Sequence, residues 1–308
     1  MRQNNTGKVV VSICMITYNH AKYIVEAIEG VLMQKTDFRI QLVIGEDSSP
    51  DDTREICETY AAKYPDIIRL LPSDRRYGMI NNFFRTIDAC DGDYIAICDG
   101  DDYWNDPYKL QKQVDVLHTS PDISVCVHAT KMVNEKGQLV RTIGDYDKET
   151  YYSFKDNIIS GNGATSSMLF RMKVLDKHQL GDILKNKAHQ VDWSLDLLLL
   201  DKGRGCYLPD IMGVYRKHSG GVTSDRANND AISVLNNRLF VVNNLKQYVS
   251  RKHRKYLNSF LGLLLLKSSK INKEKRTWNL ISGAMYLLRY PHFLFNISKV
   301  KRRFNPFV

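Results

Sequence analysis

The chain has 308 residues, 43% hydrophobic and 25% charged, proportions of a soluble globular protein with room for one large α/β domain and an appendage. Its net charge of +10 is unevenly spread: residues 251–308 hold fourteen Lys or Arg against one acid, Glu274, and residues 1–250 carry a net −3. With no run near the ~18 apolar residues that cross a bilayer, no signal-peptide layout at the N-terminus and no C-x-x-C pair, membrane-spanning, secreted and zinc-built classes are set aside. The six cysteines (14, 57, 90, 98, 126 and 206) are expected to be reduced core residues in a reducing compartment.

Residues 9–16 form a continuous apolar run ending in Thr-Tyr-Asn, the pattern of a buried parallel strand. Residues 23–34 place Ile24, Ala27, Ile28, Val31 and Leu32 at helical spacing. A second strand is predicted over 38–44, stopping at the acidic, turn-rich loop 45–50. A helix over 53–64, a strand over 67–71, a helix over 81–90 and a strand over 94–98 follow. Residues 107–117 read as a helix, 124–129 as a strand, and 134–160 as polar and irregular. A strand is expected over 165–170, entered through Gly161-Asn162-Gly163, and a strongly apolar helix over 192–200. Residues 206–215 close the body, 222–232 read as a mobile connection, and helices dominate beyond. Strands alternating with helices over short connections predict an α/β fold with a mostly parallel sheet. The expected division is a body over 1–222 and a basic helical extension over 223–308.

Residues 94–104, YIAICDGDDYW, carry the most chemistry. Three carboxylates, Asp99, Asp101 and Asp102, follow a buried strand and repel one another unless a cation lies among them. Hard carboxylate oxygens suit Mg²⁺ or Mn²⁺, and magnesium is usually completed by substrate phosphates. Taken alone, the string is equally a solvated acidic turn. In a parallel sheet, however, ligands bind outside the carboxyl ends of the strands. The polar loops 17–20, 46–52 and 99–102 all fall on that edge.

The ordered series VSICMITYNHAKYIVEAIEGVLMQ, VIGEDSSPDDT, GDYIAICDGDDYWNDPYKLQKQV, VDWSLDLLL and MGVYRKHSGG resembles the inverting family 2 glycosyltransferases of GT-A fold. It covers most of residues 9–221 and leaves the tail outside. The resemblance implies a Rossmann-like sheet flanked by helices and sugar transfer, with inversion, from a nucleotide donor to an acceptor hydroxyl. By matching position, Thr17, Tyr18 and Asn19 would line the nucleotide pocket. Glu46 and Asp47 would face the base or ribose, although the family often has two aspartates there. Asp99 would meet the ribose or nucleotide, and Asp101 and Asp102 would be nearest the metal, in one of two registers. Asp192 stands where the family keeps its catalytic aspartate, with Val191 in place of the usual glutamate before it. Arg216 and His218 match a segment that closes over the diphosphate, and His218 is also a candidate metal ligand.

The chemistry behind these assignments is simple. A departing nucleoside diphosphate gains negative charge, which a metal and charge-assisted bonds from Arg216 offset. Inversion needs a base away from that cluster; Asp192 at a helix start suits it, and is equally a plain helix cap. Trp104, Trp193 and Tyr103 are either sugar platforms or packing. His20, His118, His128 and His189 form no ligand spacing with one another and are read as structural. The tail interleaves its cations with Leu, Phe, Tyr and Trp, which suits an anionic membrane surface more than nucleic acid. The expected protein is therefore a cytoplasmic enzyme, peripheral on the inner membrane face. Its expected donor is a UDP-sugar, its acceptor is a saccharide or lipid-linked saccharide, and it serves cell-surface polysaccharide or lipopolysaccharide synthesis. The rivals are a sugar nucleotidyltransferase and a non-catalytic membrane adaptor on the same fold.

Overall fold

The computed structural model describes residues 8–144, 146–161, 163–184, 191–221, 231–271 and 276–292. Asn162, His189 and residues 222–230 lie outside them, so the expected strand-entry turn and mobile connection are not described in full.

The first half follows the predicted alternation. Strand β1 (Val9–Thr17), helix α1 (Ile24–Leu32), β2 (Arg39–Glu46), α2 (Thr53–Lys63), β3 (Ile68–Leu70), α3 (Met79–Asp88) and β4 (Tyr94–Ile97) come in order. β1 is parallel to both β2 and β4, and β2 is parallel to β3. Val11, Ile13 and Met15 on one face of β1 and Cys14 on the other are all buried, as expected of a parallel strand covered on both sides. Against the first face pack Ile24, Ala27, Ile28 and Val31 of α1, the stripe its spacing predicted.

The second half is more mixed. β5 (Tyr103–Trp104), α4 (Lys109–Thr119), β6 (Ile123–Asn134), β7 (Leu139–Ile143), β8 (Thr150–Tyr152), α5 (Phe154–Ser160), β9 (Leu169–Arg171), α6 (Lys177–Leu184), α7 (Val191–Lys202) and β10 (Arg204–Lys217) complete the body. The sheet order is β3-β2-β1-β4-β9-β6-β10-β5, with β7 beside β6 and β8 beside β10. Beyond β4, β9 enters antiparallel to β4 and β6, while β6 and β10 are parallel.

Two sequence expectations change here. The strand expected over 165–170 opens as a 3-10 turn, Thr165–Ser167, because the Ser167 N–H and hydroxyl both donate to the Ala164 carbonyl (2.9 and 2.6 Å). Residues 134–160, expected to be irregular, contain a hairpin. The Asn134 side-chain oxygen accepts the Lys136 and Gln138 N–H groups and turns β6 into β7. A capping box of Ser153 and Asp156 then starts α5.

The chain forms two compact units. The first comprises Met1–Tyr151, Asn162–Leu175 and Gly203–Lys217; the second comprises Tyr152–Gly161, Asp176–Lys202 and His218–Val308. The helical tail thus shares its unit with α5, α6 and α7 rather than standing alone. It contributes α8 (Ala231–Tyr248), α9 (Arg251–Ile271) and α10 (Arg276–Arg289). Among the described residues no helix is long and apolar enough to cross a membrane.

Candidate active site

Parallel register brings the ends of β1, β2 and β4 to one edge: Thr17 lies beside Glu46, and Cys14 beside Ile97. The loops leaving these strands are stitched together by backbone. The Asp47 N–H donates to the Thr17 carbonyl (3.1 Å) and the Gly100 N–H to the Ile16 carbonyl (3.0 Å). Only glycine fits at 100, since a Cβ there would sit 2.5 Å from the Thr17 hydroxyl. The acidic turn is therefore pressed against the end of β1.

Within that turn the Asp102 N–H donates to the Asp99 carbonyl (3.1 Å), and the neighbouring carboxylates diverge. Asp101 keeps 18% of its side chain exposed and lies 3.7 Å from His20 Nε2. The other ring nitrogen of His20 lies 3.2 Å from the Thr17 hydroxyl, and the His20 backbone N–H donates to Thr53 Oγ1 (2.9 Å). Asp102, by contrast, is buried and accepts the Arg216 N–H (3.0 Å). Burial first, then repulsion from Asp101 and Asp99, push the Asp102 carboxyl well above the usual carboxylate range. The Arg216 guanidinium reaches the Asp101 carbonyl (2.9 Å), pairs with the exposed Glu26, and lies over the Tyr23 and Tyr103 rings.

Glu46 and Asp47 are loop braces in this structure. Glu46 accepts the N–H groups of Ser49 (2.6 Å) and Ser48 (3.2 Å). Asp47 accepts those of Tyr77 (2.6 Å) and Gly78 (3.0 Å). Asp51 does the same for Ala21 and Thr53, tying the loop after β1 to the start of α2. Asn19 (φ 59°) and Ser48 (φ 55°) are the non-glycine residues with left-handed backbone among those described, and both lie in these loops. Such backbone is retained only where the surroundings over-determine it, and it clusters at functional sites. The Arg76 guanidinium covers the Tyr18 ring at 4.0 Å from its centroid.

In the second unit, Asp192 lies half-buried in the first turn of α7, where a negative charge is favoured by the helix dipole. One turn on, Asp196 is buried and accepts Asn157 Nδ2 (2.6 Å). Burial, with a smaller push from Asp192, raises the Asp196 carboxyl to about 7. Trp193 packs on Phe260 with ring centroids 5.9 Å apart. His218 is buried and directly follows β10 in the chain.

The family model "Glycosyl transferase family 2" matches residues 12–179. The chain belongs to glycosyl transferase family 2. Uncharacterized protein Rv1520 of Mycobacterium tuberculosis is 33% identical over 211 residues, 68% of this chain and 60% of that protein. The dTDP-rhamnosyl transferase RfbG of Shigella flexneri is 32% identical over 50% of this chain and 61% of its own length. The match thus spans about 60% of these curated relatives. Among solved structures, S. aureus TarS 1-349 in complex with UDP superposes with a TM-score of 0.62 at 16% identity, covering 91% of this chain and 81% of that one. The mannosyltransferase PcManGT from Pyrobaculum calidifontis, in complex with GDP-Man and Mn²⁺, gives 0.59 at 16%, covering 98% and 83%. The fold is GT-A.

In this family 2 chain His20, Arg76 and the buried Lys109 carry no local signal in the sequence. His20 is 81 residues from Asp101, so no local spacing marks the pair. Trp104 is 1% exposed and donates Nε1–H to the Ser166 carbonyl (2.8 Å), so it is packing, not a sugar platform. Beneath it Lys109 is wholly buried, its ammonium 3.7 Å from the indole centroid and without a hydrogen-bond partner. Burial lowers Lys109 from the ordinary lysine value to about 7. A lysine depressed on folding costs stability in full below its folded value, and that cost fades as pH rises toward the unfolded value near 10.5. The stability advantage of Lys109→Met over wild type should therefore shrink by roughly 4 kcal/mol between about pH 6 and pH 10. Denaturant titrations of both proteins at the two pH values check it; a constant difference would show that the amine is not buried neutral.

Proposed function

We propose that the chain transfers a glycosyl group, with inversion, from a nucleoside-diphosphate sugar to an acceptor hydroxyl, using Mn²⁺ or Mg²⁺. The observation that carries this reading is the meeting of the acidic turn with the loops after β1 and β2 on one sheet edge, where Asp101 faces His20. A partly exposed carboxylate beside an imidazole is a donor pair that suits Mn²⁺. Asp101 and His20 are proposed as metal ligands, and His218, two residues along the chain from Arg216, is a further candidate by its place in the sequence. Asp102, already committed to the Arg216 N–H, supports them. When bound, the ion supplies Lewis-acid stabilisation of the leaving diphosphate.

Thr17, Tyr18 and Asn19 are proposed to line the nucleotide, with Asp99 toward the ribose. Asp47 and Glu46 hold the pocket's loops in shape, and each carboxylate retains acceptor sites for a base or ribose. Arg216 is proposed to grip the diphosphate. Its present side-chain partner Glu26 is 60% exposed and is free to turn into solvent when a phosphate takes its place. Asp192 is the proposed base, taking the acceptor's proton as the new bond forms.

UDP is the proposed nucleotide, in keeping with the TarS complexes, which contain UDP and UDP-GlcNAc. The PcManGT complex with GDP-Man and the name of RfbG put guanosine and thymidine donors in the same screen. The proposed acceptor is a saccharide or lipid-linked saccharide of cell-surface polysaccharide or lipopolysaccharide synthesis. The enzyme is then cytoplasmic and peripheral at the membrane. The test is a panel of nucleotide sugars with Mn²⁺, followed by nucleoside diphosphate release. Release with one donor class, abolished by chelator and restored by Mn²⁺, is the expected result. Pyrophosphate release would identify a nucleotidyltransferase instead, and metal-dependent nucleotide binding without turnover an adaptor.

A further inference from the structure

We propose that the outer face of α10 is a docking surface for an anionic lipid bilayer. It deepens the membrane side of the proposed function and rests on that reading only for where the acceptor lies.

The sequence of α10, RTWNLISGAMYLLR, has one buried side and, opposed to it, a side of large apolar residues. Its inner side, with Asn279, Gly283 and Leu287 buried, packs on α9. The crossing is close: a Cβ on Gly283 would come 3.0 Å from the Gly262 carbonyl and the Leu266 side chain. Asn279 Nδ2 donates to Ser268 Oγ (3.0 Å) and sets the register of the pair. The rotation of α10 is thereby determined, and so is what it presents outward.

The outward side carries Trp278 (66% exposed), Ile281 (55%), Met285 (65%) and Leu288 (81%). Steps of three and four put these four on one stripe, opposite the buried one. A helix of 14 residues is about 21 Å long, so the row has the dimensions of an interfacial helix rather than a spanning one. Large apolar side chains scattered singly over a surface need no explanation, but a contiguous row marks an interaction site.

Charge chooses the occupant. Helices α9 and α10 together carry eight Lys or Arg and no Asp or Glu. Arg276 and Arg289 bracket the apolar row. Apolar side chains that enter the acyl boundary, flanked by cations that meet anionic headgroups, are the makeup of a helix lying in a bilayer interface. A second copy of this face would set like charges against like, which opposes self-association.

The full chain is incubated with vesicles of phosphatidylcholine alone and of phosphatidylcholine and phosphatidylglycerol in equal parts, then sedimented. Binding to the mixed vesicles only, weakened by salt, is expected. Trp278 reports its own insertion: tryptophan emission should shift to the blue and be quenched by brominated acyl chains. Trp278→Phe should lose that signal and still sediment. The doubly charged variant Ile281→Glu/Met285→Glu should bind roughly tenfold or more weakly. Both positions are exposed, so its circular dichroism and its donor turnover in solution should match wild type.

Equal binding to neutral vesicles, or undiminished sedimentation of the Glu variant, would overturn the proposal. So would a dimer in ultracentrifugation that the same two substitutions dissolve, because the face would then belong to a second copy. Sedimentation needs no donor, so its failure is separate from failure of the transferase reading.

Discussion

Asp101→Asn is expected to lower donor turnover at least a hundredfold and to weaken Mn²⁺ binding alongside it. The Asp101 carboxylate faces the His20 imidazole and keeps part of its surface open. Asparagine preserves size and removes the charge on which a hard cation depends. Asp102→Asn is the matched control. That carboxyl is buried, its charged form is disfavoured, and it accepts a backbone N–H that an amide oxygen accepts as well. Its Mn²⁺ affinity should stay near wild type. Paramagnetic resonance of Mn²⁺ titrated into each protein reads the metal without requiring turnover. If Asp101→Asn binds Mn²⁺ as wild type does and Asp102→Asn does not, the two roles are exchanged.

Asp192→Asn should bind donor with little change and turn it over about a thousandfold more slowly, within the range for loss of a general base. Asp192 lies in the first turn of α7, where its charge also favours the helix by about 0.3–1 kcal/mol. The two roles separate in this variant. A merely structural aspartate would cost a small amount of stability, read as a modest fall in melting temperature with kcat intact. A base would cost kcat with the nucleotide Kd intact, measured calorimetrically. Buried Asp196, one turn away and raised to about 7, gains its charge across the neutral range, so the negative charge beside Asp192 changes there with pH. The pH profile of kcat should therefore change shape in Asp196→Asn, whereas the profile of nucleotide binding should not.

Local features of the chain were readable without coordinates. The apolar runs of β1, β2 and β4 announce buried parallel strands, because such strands have no solvent face to fill with polar residues. The stripe of α1 follows from helical periodicity in the same way. Where a segment's structure depends on few residues or on side-chain bonding to backbone, the reading stops short. β5 is two residues long, too short for any alternation to register. The 3-10 turn at Thr165–Ser167 is closed by a serine hydroxyl, and the β6–β7 turn by one asparagine.

By itself the sequence determined the succession of strands and helices from β1 to β4, the acidic string at the end of β4 and the basic, apolar-rich tail, since each is written in neighbouring residues. Tertiary structure alone decided which acid looks outward and which is buried, that His20 is Asp101's partner, that Glu46 and Asp47 brace loops, and that Trp104 is core. It also decided which side of α10 is left facing water. The physical reason is that these outcomes are set by strand order and helix rotation, which bring together atoms many residues apart, and no local pattern records which atoms will meet.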